Sequence, residues 1–172
     1  QPSNGTVSLD GNTATYTSTS DTATSDSFTF KVNDGTVDSD AATVTINITA
    51  VNDTPTATAQ TVEATEQTSK TITLAGTDAD GDTLTYIIAS LPSEGTLTDN
   101  GTAITSDDLP KTTTGTDVVY TSTSDTATSD SFTFKVNDGT VDSDAATVTI
   151  NITAVNDTPT ATAQTVEATE QT

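Results

Sequence analysis

Apolar and polar positions alternate strictly over residues 131–136 and 146–154. Phe132, Phe134 and Val136 are separated by Thr133 and Lys135, and Val148, Ile150 and Ile152 by Thr149 and Asn151. A period of two puts successive side chains on opposite faces of a pleated strand, so each run offers one apolar and one polar face. The apolar residues are mostly β-branched or aromatic, types that pack on a half-buried sheet. Between the runs, Asn137-Asp138-Gly139 tolerates positive φ and predicts a hairpin. The two apolar faces should form the thickest part of a core, with Thr133 and Thr149 facing water.

The same reading draws seven strands in one module, near 56–63, 70–76, 84–89, 95–104, 117–122, 131–136 and 145–154. The 53 residues 16–68 recur unchanged as 120–172, an offset of 104. A unit of that length is too long for a solenoid repeat and suits a sandwich of about 100 residues. The fold class is therefore all-β: a β-sandwich of about seven strands in tandem repeats. Residues 1–50 read as the C-terminal part of a first repeat, because Gln1-Pro2-Ser3-Asn4-Gly5-Thr6-Val7 parallels Leu91-Pro92-Ser93-Glu94-Gly95-Thr96-Leu97. Residues 51–155 read as one complete repeat, and 156–172 as the opening strand of a third. The first part is expected to be poorly stable alone, since missing strands expose core and sheet edges.

Composition alone, 31% hydrophobic and 4% aromatic, would place the chain near disorder, so the alternation carries the folded reading. A net charge of −21 with four Lys and Arg excludes electrostatic capture of nucleic acid or an anionic membrane. It also creates a difficulty. Two carboxylates ~4 Å apart repel by roughly 4 kcal/mol at an effective dielectric near 20, so clustered Asp residues must spread, protonate or share a cation. The chain has no Cys and no His, which removes disulfides, the usual structural zinc sites and the commonest general base. Hard oxygen ligands remain, and Ca²⁺ is the cofactor they suit. Carboxylate pairs without His, Trp or Cys offer no nucleophile–base pair and no sugar platform, so an enzyme is not expected. With no apolar run of membrane-spanning length, the segment is expected to be a soluble monomer without membrane contact.

If the strands run up and down, the acidic loops collect at two poles. One holds Asp78, Asp80, Asp82, Asp138, Asp142 and Asp144; the other, beside the next linker, holds Glu63, Glu66, Asp125 and Asp130. Asp78-Ala79-Asp80-Gly81-Asp82 spaces three carboxylates two residues apart around a turn-forming Gly, a spacing that lets them converge on one calcium-type ion. It is not an EF-hand, because the twelfth position is Ala89 where a bidentate Glu is required. The linker Ala50-Val51-Asn52-Asp53-Thr54-Pro55 returns as Ala154-Val155-Asn156-Asp157-Thr158-Pro159. Asn52, Asp53, Asn156 and Asp157 are candidate ligands, and topology brings Asp21 and Asp26 toward the first linker. Solvated Asp/Gly turns and a plain linker are the alternatives, and Asp138 is a candidate ligand better explained by its hairpin. The Thr-x-Thr runs admit a second function, a hydroxyl face for ice or carbohydrate, although outward Thr on strands explains them more simply.

Three passages together resemble a known family: Val51-Asn52-Asp53 with Pro55, then Thr77-Asp78-Ala79-Asp80-Gly81-Asp82, then Asp130-Ser131-Phe132-Thr133-Phe134-Lys135-Val136-Asn137-Asp138-Gly139. They are similar to the cadherin-like, immunoglobulin-like extender repeats of giant bacterial RTX adhesins, including calcium-dependent ice-binding ones. The resemblance implies stalk elements exported by type I secretion to the surface of a Gram-negative bacterium. Their partners would be neighbouring repeats and calcium, with a distal ice- or surface-binding domain projected beyond them. Carried over, it makes Asn52 and Asp53 linker ligands, Asp78 and Asp80 the Asp-x-Asp pair, and Glu63 or Glu66 the acidic residue near the first strand. The acidic loop motif of the family is represented by Asp21 and Asp26, or by Asp125 and Asp130.

Overall fold

The structure, a computed structural model, describes residues 1–170. Ahead of the first linker the chain folds as two hairpins, β1 (Gly5–Asp10) with β2 (Thr13–Ser18) and β3 (Ser25–Phe30) with β4 (Ala42–Asn47). After the linker come β5 (Thr56–Ala57), β6 (Gln60–Thr65), β7 (Lys70–Thr73), β8 (Gly76–Thr77), β9 (Thr85–Ile88), β10 (Gly95–Asp99) and β11 (Thr102–Ala103). A single 3-10 turn (Ser106–Asp108) precedes β12 (Lys111–Thr112), β13 (Asp117–Ser122), β14 (Ser129–Asn137) and β15 (Ala146–Thr153). Among the described residues no helix is long and apolar enough to cross a membrane.

β6, β7 and β9 to β15 build two facing sheets, ordered β11-β10-β13-β7 and β12-β9-β14-β15-β6, while β5 and β8 pair separately. The alternating runs meet as the pattern predicts. Phe132, Phe134, Val136, Val148 and Ile150 are all at most 1% exposed and pack with Ile72, Ile88, Leu97, Val118 and Tyr120. Thr133 differs from expectation. It is half-buried, because Ala89 and Ser90 donate their N–H groups to its carbonyl and its hydroxyl shares a 2.7 Å hydrogen bond with that of Ser90. Thr149 is likewise half-buried.

Three departures from the seven-strand reading have clear causes. The first strand divides: β5 pairs with β8, and the chain then crosses to the other sheet, where β6 runs parallel to β15 in the register Gln60↔Val148 to Thr65↔Thr153. Thr58 marks the crossing, its N–H donated to the carbonyl of Ala75 at 2.8 Å. The fourth strand breaks into the β10–β11 hairpin at Asn100-Gly101, where φ is +47° and +79°. Asn-Gly is the strongest short hairpin signal in a sequence, and here it outweighs the flanking alternation. The insertion after it is tied down by Asp99, 5% exposed, which accepts the N–H and hydroxyl of Thr114 at 2.9 and 2.7 Å.

The opening strand expected over 156–172 is not formed among the described residues, and its last two positions lie outside them. Residues 154–170 carry no regular structure. The identical sequence in β6 is extended because it lies against β15; no strand among the described residues lies against residues 164–169.

Candidate metal centre

At the pole where the first linker enters, the loop between β8 and β9 turns sharply at Gly81, whose φ is +80°. Asp82 donates its N–H to Asp78 Oδ1 at 3.0 Å, and carboxylate oxygens of Asp78, Asp80 and Asp82 come within 4.8 Å of one another. The linker is fastened to this pole twice. Asp53 donates its N–H to Asp80 Oδ2 at 2.7 Å, and Asn52 Nδ2 donates to Asp138 Oδ2 at 2.8 Å. Two oxygens are left over: Asp78 Oδ2 and Asp80 Oδ1 are buried without any hydrogen-bond partner.

Asp138 is occupied by its hairpin. Its Oδ1 accepts the N–H groups of Thr140 and Val141 at 2.6 and 2.7 Å. The Asn52 amide, followed by these turn donors, holds its carboxyl below the ordinary carboxylate value. It thus receives the linker through Asn52, with its own oxygens already committed.

At the opposite pole Glu66 follows β6 directly and is 2% exposed. Its Oε2 accepts the N–H of Val155 from the second linker at 2.8 Å, while Oε1 is buried with no partner. Asp125 and Asp157 bring carboxylate oxygens within 4.8 Å of it. Gln67 Nε2 steadies Asp125 at 3.0 Å. The two linkers share a local bend, in which Asn52 Nδ2 donates to the Asp53 carbonyl at 3.0 Å and Asn156 Nδ2 to that of Asp157 at 3.2 Å.

Besides Asp53 and Asp138, four of the acidic residues proposed from sequence lie outside both clusters. Glu63 lies exposed on β6, where it accepts Asn151 Nδ2 across the parallel ladder at 2.8 Å, so Glu66 is the acidic residue that reaches the pole. Asp130 is saturated: it accepts N–H groups of Ser93, Glu94 and Ser131 at 2.9, 2.9 and 2.8 Å and the Tyr120 hydroxyl at 3.0 Å. Asp26 repeats this with Ser3, Asn4, Ser27 and Tyr16. Burial raises the Asp26 pKa, but the four donors outweigh it and bring the value to about 2. Burial, together with the Asp130 contact, pushes the Tyr120 hydroxyl up to about 12. These two aspartates are anchors of the fold. Asp21, exposed, belongs to no group of three converging carboxylates among the described residues.

Sequence reasoning grouped Asp26 and Asp130 with the ligands because loop position alone was legible. A signal was present in the shared spacing of Tyr16 to Asp26 and Tyr120 to Asp130, each preceded by Pro-Ser-x-Gly. The glycine of that motif is required by close approach: a Cβ on Gly95 would lie 2.4 Å from Tyr120 Cε2, and one on Gly5 2.5 Å from the Tyr16 ring.

Comparison with known proteins follows this geometry. Residues 1–47 and 52–151 match the family model described as a bacterial Ig domain. No curated protein matches the sequence. The chain superposes on human mucin-like protocadherin EC1-2 with a TM-score of 0.54 at 17% identity, covering 88% of this chain and 81% of that one. Such identity speaks for the cadherin-like fold alone. Looser likenesses carry no weight. A nucleoside hydrolase-related hypothetical protein from Saccharophagus degradans, associated with carbohydrate metabolism, gives 0.44 at 13% identity over 60% of this chain and 26% of its own length. Domains 4 and 5 of the S-layer protein SbsC give 0.37 at 16% identity, over 66% of this chain and 59% of that one.

Proposed function

The chain belongs to the bacterial Ig domain family, and from that premise we propose that it is a calcium-stiffened extender segment of a bacterial surface adhesin. One observation carries the reading. Glu66 Oε1, Asp78 Oδ2 and Asp80 Oδ1, the buried side-chain oxygens left without a partner among the described residues, all belong to the two carboxylate clusters at the poles. A buried acceptor without a donor costs free energy, and three neighbouring carboxylates add repulsion. A hard divalent cation relieves both, and a donor set made only of oxygens suits calcium.

Glu66, Asp125 and Asp157 would hold an ion at the exit of a repeat, and Asp78, Asp80 and Asp82 one at the entry. Calcium would supply the positive charge that neutralises each cluster. The chain's own residues do the positioning: Asn52 and the Asp53 N–H tie the linker to the entry pole, and Glu66 ties the Val155 N–H to the exit pole. A bound ion then turns a tethered joint into a fixed angle. The nine residues of β14 at about 3.3 Å each give roughly 30 Å per repeat before loops. Repeats in series would therefore project a distal ice- or surface-binding domain well away from a Gram-negative cell, after export by type I secretion. Affinity in the ~10⁻⁴–10⁻³ M range of extracellular modules would keep such a stalk stiff outside the cell.

Solution X-ray scattering with calcium and with chelator tests this function. The maximum dimension should shorten on chelation; identical profiles in the two buffers would rule out stiffening of the joints.

A further inference from the structure

We propose that Asn100 is a site of spontaneous covalent modification, converted to isoaspartate by attack of the Gly101 backbone nitrogen on the Asn100 side-chain amide. The chain contains Asn-Gly twice, each time followed by Thr: Asn4-Gly5-Thr6 and Asn100-Gly101-Thr102. The two are alike in local sequence and unlike in surroundings. Asn100 and Gly101 are exposed and form the turn of the β10–β11 hairpin, and among the described residues neither the Asn100 amide nor the Gly101 N–H has a hydrogen-bond partner. Around Gly101 the space is open, with no atom beyond its chain neighbours within 4 Å of where a Cβ would stand. Asn4, by contrast, is fastened at each of its polar ends. Its N–H donates to Asp26 Oδ2 at 2.9 Å, its Nδ2 to the Ser25 carbonyl at 3.2 Å, and its carbonyl accepts the N–H of Thr19 at 2.9 Å. Gly5 beside it is pressed against the Tyr16 ring and the Thr17 carbonyl.

The step needs only water. The Gly101 nitrogen bonds to Asn100 Cγ as it gives up its proton, the Cγ–Nδ2 bond breaks, and ammonia leaves with that proton, closing a cyclic imide. Water then opens the ring at either carbonyl. Cleavage at Cγ gives Asp; cleavage at the original peptide carbon gives isoaspartate, whose main chain runs through Cγ and leaves the α-carboxylate pendant. Glycine favours ring closure because no side chain shields its nitrogen or restricts its backbone. The consequence falls on the hairpin. Its tight turn, with φ of +47° at Asn100 and +79° at Gly101, sets the pairs Asp99↔Thr102 and Thr98↔Ala103. An added main-chain atom breaks that geometry. The loosened segment leads directly to Ile104, a core residue 6% exposed whose N–H donates to the Leu97 carbonyl at 2.9 Å. In the β1–β2 hairpin the turn is Gly11-Asn12, and the residue after Asn is the β-branched Thr13, which shields its nitrogen. The age-dependent change therefore belongs to the longer hairpin, and it involves neither carboxylate cluster.

The test is peptide mapping of the 172-residue chain, incubated folded at mildly alkaline pH in water enriched in heavy oxygen and sampled over weeks. Isoaspartate labelled with heavy oxygen should accumulate at residue 100. It should form about tenfold faster than any product at Asn4, whose hydrogen bonds must break before its ring can close. A parallel incubation in guanidinium chloride should bring the two rates together, because the local sequence is the same. The aged parent, unlike aged Asn100→Gln, should also show faster amide exchange at Ile104. Equal rates at Asn4 and Asn100 in the folded chain overturn the proposal. So does an Asn100 that stays intact in the folded chain while the unfolded chain reacts at both sites, which would mean that the turn protects it. Unchanged exchange at Ile104 in the isoaspartate form overturns the effect on the hairpin.

Discussion

Asn52 Nδ2 donates to Asp138 Oδ2 at 2.8 Å, joining residues 86 apart in sequence and fixing the linker to the β14–β15 hairpin. The contact is neutral donor to carboxylate, with Asp138 only 8% exposed, so it outweighs an ordinary surface hydrogen bond. Asn52→Ala should destabilise the complete repeat by about 1–2 kcal/mol. Chemical denaturation measures that loss, and faster amide exchange at Asp53 would report the loosened linker.

The anchors and the clusters separate by variant. Asp130→Asn should cost about 2–3 kcal/mol, because three N–H groups and a phenol converge on that carboxylate. Its calcium affinity should be unchanged. A weakened affinity in Asp130→Asn, with the fold retained, would return it to the ligand set.

Asp80→Asn should reverse sign with the ion. In chelator it removes one charge from three crowded carboxylates and should leave stability equal or raised, whereas in calcium it should lower the melting temperature relative to the parent. Thermal melts in both buffers compare the two. A loss of equal size in each would make Asp80 purely structural.

Gly95→Ala drives a Cβ to 2.4 Å from Tyr120 Cε2 and 2.7 Å from the Thr121 carbonyl. Overpacking of this kind typically costs about 1–3 kcal/mol, and here it also displaces the hydroxyl that Asp130 accepts. Urea denaturation of the variant measures it.

Acid should loosen the N-terminal hairpins in a defined window. The Asp26 pKa of about 2 in the fold lies below its ordinary 3.8, so the folded state binds fewer protons there. That contribution is complete above pH about 4 and is lost as pH falls toward 2. Asp138, lowered in the same direction, adds the same trend at the entry pole. Amide signals of Ser3, Asn4 and Ser27 followed by NMR should shift within that window and not near neutrality.

Much of this was legible in the sequence because period two and exact repetition are strong signals. The inward sets around Phe132 and Val148 follow from them, whereas the Asp78-Asp80-Asp82 turn is legible from its own spacing and the closeness of Asn52 and Asp53 to that pole from loop topology and the family resemblance. Less legible was anything set by partners distant in sequence. The parallel pairing of β6 with β15 cannot be read from either strand alone, and the choice between Glu63 and Glu66 depends on where β6 ends. Asp26 and Asp130 looked like their acidic neighbours because donors to a carboxylate come from loop backbones that alternation does not describe. Asn100-Gly101 is a hairpin signal in the sequence, masked by the alternation around it, which reads as one strand.

The central claim is that calcium completes the two carboxylate clusters, and calorimetric titration of calcium into the chain tests it most directly. The parent should bind ions at both poles, Glu66→Gln should lose the exit-pole site alone, and Asp78→Asn the entry-pole site alone. No binding by the parent at calcium concentrations well above ~10⁻³ M, the weak limit for extracellular modules, would contradict it.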